Sequence, residues 1–328
     1  IYLYLFLFPK STTINSMAFT LPKNNSGIPL LGIGSGTYYY KATADQPANP
    51  LLVKIFSTAL KEGFIHLDSA ECYKNDAELK ETLDTILSTT DLKREDIFIT
   101  DKYYAGDGTY TTHSTFSNPY ERIKAFNKYL NTPYTDLYLL HAPFIKKESH
   151  GFDLKEAWKY MQQALDEGLV KQIGVSNFAV DDIEEIWDTT KSNPQVNQIE
   201  FNAFLQNQTP GIVDYCKSKN ITVEAYSPLA PLISGDLTNG AGLKFIELID
   251  ELASKYKKTR TQILLKWVIE RGIVPITTTS KLERFEEFKG IFDNWNLSAA
   301  DVDAITKAGA EYKPSLRKYW NPEYSKYN

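Results

Sequence analysis

Four side chains suited to proton chemistry fall at or just past the ends of three consecutive hydrophobic segments: Asp68 and Tyr73, Lys102, and His141. The stretch Gly63-Phe-Ile-His-Leu-Asp-Ser-Ala-Glu-Cys-Tyr73 begins with alternating bulky residues, which suit a strand, and ends with an acid and a phenol five residues apart. Strand ends facing a crevice are where α/β enzymes keep their chemistry. A phenol there is an effective proton donor when something lowers its pKa from about 10. A buried ammonium does so and needs its own counter-charge, roles that match Lys102 and Asp68. Each residue also has a structural reading: Asp68 as a helix cap, Lys102 as a solvated cation, His141 as a satisfied core residue, Tyr73 as packing. Taken singly that reading is preferred, since polar groups are often structural. Four at adjacent strand ends favour a site.

The elements that would carry them alternate along the chain. Strands are expected at 30–37, 63–68, 97–102, 136–141, 170–177, 196–200, 221–227 and 273–278. Between them lie helical patterns. One starts near Pro50 with Leu51, Leu52, Ile55, Phe56, Ala59 and Leu60 on one face and Gly63 as its stop. Others cover 76–87, 118–130, 210–219, 243–256, 261–271 and 281–292. Asp153 with Glu156, and Ser298 with Asp301, read as capping-box starts of two more. Residues 19–31, broken by Pro22, Gly27 and Pro29, read as a small hairpin, and the tail beyond Gly309 as irregular. The loop 103–117 is longer than a usual βα connection and is a candidate for function.

Strict β/α alternation over about 250 residues, without a linker or composition shift, points to one closed (β/α)8 TIM barrel with a short N-terminal β-hairpin. An open doubly wound sheet is the runner-up. Gly32-Ile-Gly-Ser-Gly36 lacks the helix that a dinucleotide-binding glycine loop requires, because Tyr38-Tyr39-Tyr40 follows it. Residues 17–328 are therefore read as a single domain. Residues 1–16, with the apolar run Ile1–Phe8, fit neither a signal peptide nor a membrane span and are read as a non-native or disordered leader before Met17.

Composition bounds the partners. The chain has 328 residues, 23% charged, with a net charge of −5, which offers no electrostatic case for nucleic acid or an anionic membrane. Two cysteines, Cys72 and Cys216, make no disulfide framework or thiolate cluster. The four histidines lack zinc-ligand spacing, so no metal is expected. A cytoplasmic location follows from this cysteine usage.

The set resembles the aldo-keto reductases. The resemblance rests on His66-Leu-Asp-Ser-Ala-Glu-Cys-Tyr73, Ile99-Thr-Asp-Lys102, Leu139-Leu-His-Ala-Pro143, Ile173-Gly-Val-Ser-Asn-Phe178, Val196-Asn-Gln-Ile-Glu200 and Ala225-Tyr-Ser-Pro-Leu229. These pieces span nearly all of the region from Phe19 to about Trp295. The long 103–117 loop and Phe204-Leu-Gln-Asn-Gln208 look most like the conjugated polyketone (dicarbonyl) reductase branch. The resemblance implies a catalytic tetrad of Asp68, Tyr73, Lys102 and His141 and an NADPH cofactor. Tyr73 would donate a proton to the carbonyl oxygen, its pKa lowered by Lys102, while Asp68 keeps the lysine charged and His141 orients the carbonyl.

Cofactor contacts carry over position by position. Ser176, Asn177 and Gln198 match residues that hold the nicotinamide carboxamide, and Tyr226 matches the aromatic that stacks on its ring. Thr37 lies on the pyrophosphate side, with Ser227 and Leu229 along the next loop. At the adenine end the chain departs from the family, with Thr278, Thr279, Ser280 and Lys281 followed by Arg284, and Phe288 where an asparagine is usual. Lys281 and Arg284, expected on one face at the start of a helix, can neutralise a 2′-phosphate. Tyr38 replaces a common tryptophan, and Ala142 replaces a bulky aromatic. With Tyr73 and His141 these are expected to line a roomy apolar pocket for cyclic or vicinal dicarbonyls.

A carbonyl reductase, monomer or weak homodimer, is thus the leading reading. The alternative in the same fold is an NADPH-binding sensor or regulatory subunit with little turnover. An unrelated barrel, such as a phosphate-dependent isomerase, would lack the Asp-Tyr-Lys-His set.

Overall fold

Eight parallel strands close into one barrel, in chain order, with the first hydrogen-bonded to the last. The computed structural model describes residues 19–324 and Lys326, so the reading of residues 1–16 falls outside the described residues. The first half runs β1 (Gly32–Gly34), α1 (Pro50–Lys61), β2 (His66–Asp68), α2 (Asp76–Thr89), β3 (Phe98–Tyr103), α3 (Pro119–Leu130) and β4 (Thr135–Leu140). Then come α4 (Lys147–His150), α5 (Leu154–Asp166), β5 (Val170–Ser176), α6 (Val180–Ile186), β6 (Val196–Glu200), α7 (Ile212–Ser218) and β7 (Thr222–Tyr226). The last part is α8 (Ala230–Ser234), α9 (Gly240–Tyr256), α10 (Arg260–Glu270), β8 (Val274–Thr277), α11 (Arg284–Lys289), α12 (Ala299–Ala310) and α13 (Asn321–Tyr324).

The helix ends follow local chemistry. Asn49 caps α1 by accepting from Leu51 N at 3.0 Å, with Pro50 in the first turn, and Gly63 ends it at a φ of +87°. Asp153 and Glu156 form the reciprocal box expected at α5, at 2.9 and 3.0 Å. At α12 only half the box is made. Ser298 Oγ accepts from Asp301 N at 3.1 Å, but the Asp301 carboxylate is drawn to Lys255 and Tyr256 instead of the cap backbone. An ammonium is the stronger partner.

Two apolar layers hold the barrel. The larger lies between strands and helices, where Leu52, Ile55 and Phe56 of α1 are fully buried. Leu51 at 40% exposure and Leu87 at 39% fall outside it, so the buried stripes are narrower than the apolar patterns. A second cluster, Phe98, Leu137, Leu139, Val196, Val274 and Ile276, fills the barrel interior. Ile28 joins that cluster from the N-terminal turn, which is pinned by one antiparallel bridge, Lys23 to Pro29. That turn plugs one end, so chemistry is left to the other.

Four short helices, α4, α6, α8 and α13, were not legible in the sequence, and α11 is shorter than the expected 281–292. The tail is not free of structure. It carries α13 across the open end of the barrel, with Trp320 and Tyr324 against Phe144.

Candidate active site

At the open end the parallel register brings together Gly34, Asp68 and Thr100, and beside them Lys102 and Leu139. β2 ends on Asp68, and a single 3-10 turn, Glu71–Tyr73, follows. The Glu71 carboxylate pins that turn by accepting from Tyr104 N at 2.9 Å and Ser114 Oγ at 2.6 Å. Thus the phenol of Tyr73 is aimed by a rigid element.

Lys102 donates three hydrogen bonds: to both oxygens of Asp68, at 2.8 and 2.9 Å, and to Ser69 O at 2.7 Å. Its protons are all used within the protein, and Nζ lies 5.5 Å from the Tyr73 ring centroid. The expected lowering of the Tyr73 pKa is therefore not found. Burial raises the phenol well above its ordinary value, helped by Tyr40, Cys72 and Asp68. Tyr73 is neutral at physiological pH and holds the proton it would give. The loop after β1 approaches its ring so closely that a Cβ on Gly36 would lie 3.2 to 3.4 Å from three of its atoms.

His141 follows β4, its ring edge-on to Tyr73 with centroids 5.7 Å apart. Burial, then the Lys102 charge, holds its pKa well below the usual imidazole range, so it is a neutral hydrogen-bonding group. Its backbone is fixed on both sides: His141 N donates to Tyr103 O at 3.1 Å, and His141 O accepts from Asn177 Nδ2 at 2.8 Å.

Asn177 is the hub of the next group. Its Oδ1 accepts from Tyr226 Oη at 2.8 Å and Gln208 Nε2 at 3.1 Å. Gln198 Nε2 donates to Asp68 at 2.9 Å and to Glu224 at 2.8 Å, leaving Oε1 without a protein donor among the described residues. Glu224 is fully buried in β7, and burial with the nearby Asp68 raises its pKa to about 8. Thr37, Asn177 and Ser227 adopt positive φ of 72°, 63° and 54° beyond β1, β5 and β7. Such strain in residues other than glycine concentrates where geometry serves a site.

A cavity of about 480 Å³ lies over Asp68, Tyr73, His141, Asn177, Gln198 and Tyr226. It continues, through the shared residues Thr37, Ser227, Ile276 and Thr278, into a groove of about 200 Å³. Leu229, Thr279, Ser280, Lys281 and Arg284 line that groove. Lys318, from the tail, is a further cation there. An elongated groove with a polar amide at one end and cations at the other suits a dinucleotide carrying phosphates.

Four expectations change. Tyr38 is 57% exposed and lines the groove, not the cavity, because the three tyrosines fan apart: Tyr39 turns inward to donate to Thr279 O at 2.8 Å. Tyr40 takes the cavity wall, its ring 4.7 Å from that of Tyr73. Ala142 is fully buried in the outer core and does not line the cavity, since it points away from the mouth His141 faces. Ser176 stands one shell back, its Oγ donating to Gln198 O at 2.7 Å. Lys281 lies in the loop before α11, which starts only at Arg284; the Thr279 hydroxyl accepts from Lys281 N at 3.0 Å and so fixes a turn in place of a helical one.

Sequence reasoning singled out the long 103–117 loop but missed that the tail joins it as a roof. Tyr104, Asp107, Thr109, Tyr319, Trp320 and Pro322 complete the cavity from the long loop and the tail. The tail is held by the Glu200 carboxylate, which accepts from Lys318 N at 2.8 Å and Tyr319 N at 3.2 Å, and by Tyr324, whose hydroxyl donates to Asn177 O. Its aromatic content was the available signal, without any periodicity to say where it would dock.

A (β/α)8 barrel with a neutral phenol, a sealed lysine–carboxylate pair and a neutral imidazole beside a long groove defines an oxidoreductase that reduces carbonyl groups. The chain belongs to the aldo/keto reductase family, whose model matches residues 32–310. It is 44% identical over 313 residues to the NADPH-dependent alpha-keto amide reductase of Saccharomyces cerevisiae, covering 94% of this chain and 96% of that protein. It is 38% identical over 287 residues to the NAD/NADP-dependent indole-3-acetaldehyde reductase of Schizosaccharomyces pombe, covering 87% and 93%. Among solved structures, the Bombyx mori aldo-keto reductase in complex with NADP is similar at a TM-score of 0.72 and 28% identity, covering 89% of this chain and 94% of that one.

Proposed function

We propose that the protein uses NADPH to reduce carbonyls flanked by a second carbonyl, such as alpha-keto amides and cyclic or vicinal dicarbonyls. The observation that carries this is the cavity over Tyr73 and His141, continuous with the cation-lined groove. Its relatives support the same class, since one is an NADPH-dependent alpha-keto amide reductase.

The residues fit the cofactor. Gln198 Oε1 is free to accept from a carboxamide, the Tyr226 ring forms the adjoining wall, and Lys281, Arg284 and Lys318 would hold phosphates. When bound, NADPH supplies hydride to the carbonyl carbon. Negative charge then grows on the carbonyl oxygen. His141 donates a hydrogen bond to that oxygen, and Tyr73 gives it the phenolic proton. A phenol with a raised pKa still suffices, because an alkoxide is more basic than a phenolate. Lys102, paired with Asp68, stabilises the phenolate that remains.

The second carbonyl of a dicarbonyl substrate activates the first by withdrawing electrons and needs only modest help from the protein. The aromatic wall and roof, Tyr40 with Tyr104 and Trp320, accommodate a flat or cyclic substrate. Two free cysteines support a cytoplasmic location, and a site completed by one chain supports a monomer or weak homodimer. The test is a panel of an alpha-keto amide, a vicinal diketone, a cyclic diketone and a simple aldehyde with NADPH and with NADH. We expect the highest kcat/KM for the dicarbonyls with NADPH. A preference for the simple aldehyde, or for NADH, would overturn the reading.

A further inference from the structure

Cys72 directly precedes Tyr73 in the 3-10 turn, and its thiol lies at the edge of the same cavity. The Sγ atom is 3.5 Å from His141 Nδ1, within hydrogen-bond range for sulfur. The other ring nitrogen, Nε2, has no protein partner among the described residues, and the ring borders the cavity. A neutral imidazole holds one proton for two nitrogens. On Nε2 the proton makes the ring a donor to a substrate oxygen. On Nδ1 it leaves Nε2 as an acceptor, which repels that oxygen. The tautomer therefore decides whether His141 assists the reaction.

We propose that the Cys72 thiol donates a hydrogen bond to His141 Nδ1 and thereby holds His141 as the Nε2–H tautomer that donates to the carbonyl. Cys72 is thus a positioning residue, acting through His141. The claim rests on the reading of His141 as the group that orients the carbonyl.

Three features support it. Burial is the main cause that pushes the Cys72 thiol up to about 12, so it keeps the proton that the hydrogen bond needs. Sulfur is weak in both roles, but the bare Nδ1 is a good acceptor for the thiol, whereas the reverse bond would commit the ring N–H to a weak sulfur acceptor and leave Nε2 unable to donate. Among the described residues nothing else bonds Nδ1: the Asn177 amide bonds the backbone oxygen of His141, and Lys102 directs its protons to Asp68 and Ser69. The turn that aims the phenol of Tyr73 therefore also sets the proton on its partner. Glu71, in the same turn, anchors both through Tyr104 and Ser114.

The test compares wild type, Cys72→Val, Cys72→Ser and His141→Ala with NADPH bound. Fluorescence titration of NADPH checks that each variant is folded. The ring tautomer is read from nitrogen NMR of 15N-histidine-labelled wild type, which requires no variant to fold. We expect an unprotonated Nδ1 and a protonated Nε2 on His141. In Cys72→Val, kcat should fall about 5-fold, the factor equivalent to one hydrogen bond of about 1 kcal/mol, with the affinity for NADPH unchanged. Cys72→Ser retains a donor and should recover part of the loss. A protonated Nδ1 in wild type would overturn the proposal, as would equal kcat in the valine and serine variants. Undiminished turnover in His141→Ala would instead overturn the role of His141 itself.

Discussion

The Lys102 ammonium and the Asp68 carboxylate form a two-point ion pair, 2.8 and 2.9 Å long, with side-chain exposures of 0% and 4%. A pair so enclosed is costly to break from one side, because the remaining charge has no water to turn to.

Lys102→Met should therefore destabilise the fold by about 3–5 kcal/mol, the usual cost of leaving one buried partner uncompensated. Adding Asp68→Asn removes the orphaned charge and should restore part of that loss. Turnover should stay low in both. Urea unfolding of the two variants is the check, and equal stability of single and double variants would show that the pair is not sealed.

Tyr73→Phe keeps the ring that packs on Gly36 and Tyr40 and removes only the hydroxyl. Turnover should fall by about 10²-fold or more while NADPH still binds. Near-normal turnover would rule Tyr73 out as the donor. Combining this change with Lys102→Met should add little, because both serve one proton transfer.

Lys281 and Arg284 share the groove, but Arg284 is partly committed to Glu287, at 3.1 Å. Replacing both by alanine should weaken NADPH by about 10- to 100-fold, as expected for charge-assisted contacts to a phosphate. NADH should change far less. Fluorescence titration with both cofactors decides it, and an equal loss for the two would mean these cations do not read the 2′-phosphate.

Glu224 is a carboxyl whose pKa in the folded state, about 8, lies above its ordinary value of 4.5. The folded protein thus retains a proton that the unfolded chain releases between those values. Stability from this group is fully present below about pH 4.5 and is lost as pH rises towards about 8. Glu224→Gln mimics the protonated form. Its melting temperature should gain on wild type as pH rises from 5 to 8, and a constant difference would refute the assignment.

Glu200→Ala would leave the backbone amides of Lys318 and Tyr319 without their carboxylate. The tail carrying Tyr319 and Trp320 should loosen from the cavity. KM for the carbonyl substrate should rise several-fold, while the Kd for NADPH moves little. Steady-state kinetics beside cofactor titration will separate the two effects.

Much of the architecture was legible because periodicity is local. The strand at 196–200 reads from its own residues, as does the capping box of Asp153 and Glu156, since their partners are a few positions away. The missing pieces were short. α6 and α8 have seven and five residues, too few for a helical pattern to emerge from noise. Tyr38 and Tyr40 are the same residue type two positions apart, and nothing local says which one meets Tyr73.

By itself the sequence determined the alternation of strands and helices, the barrel, and the placing of Asp68, Tyr73, Lys102 and His141 at strand ends. These follow from side-chain period and chain order, which need no knowledge of distant neighbours. Only the tertiary structure decided that all three Lys102 protons are taken by Asp68 and Ser69, that burial raises the Tyr73 pKa, and that Cys72 meets His141. It also decided that the tail roofs the cavity. Hydrogen-bond partners and desolvation depend on which surfaces meet across tens to hundreds of residues, as Glu200 meets Lys318 at a separation of 118, and no local pattern encodes that meeting.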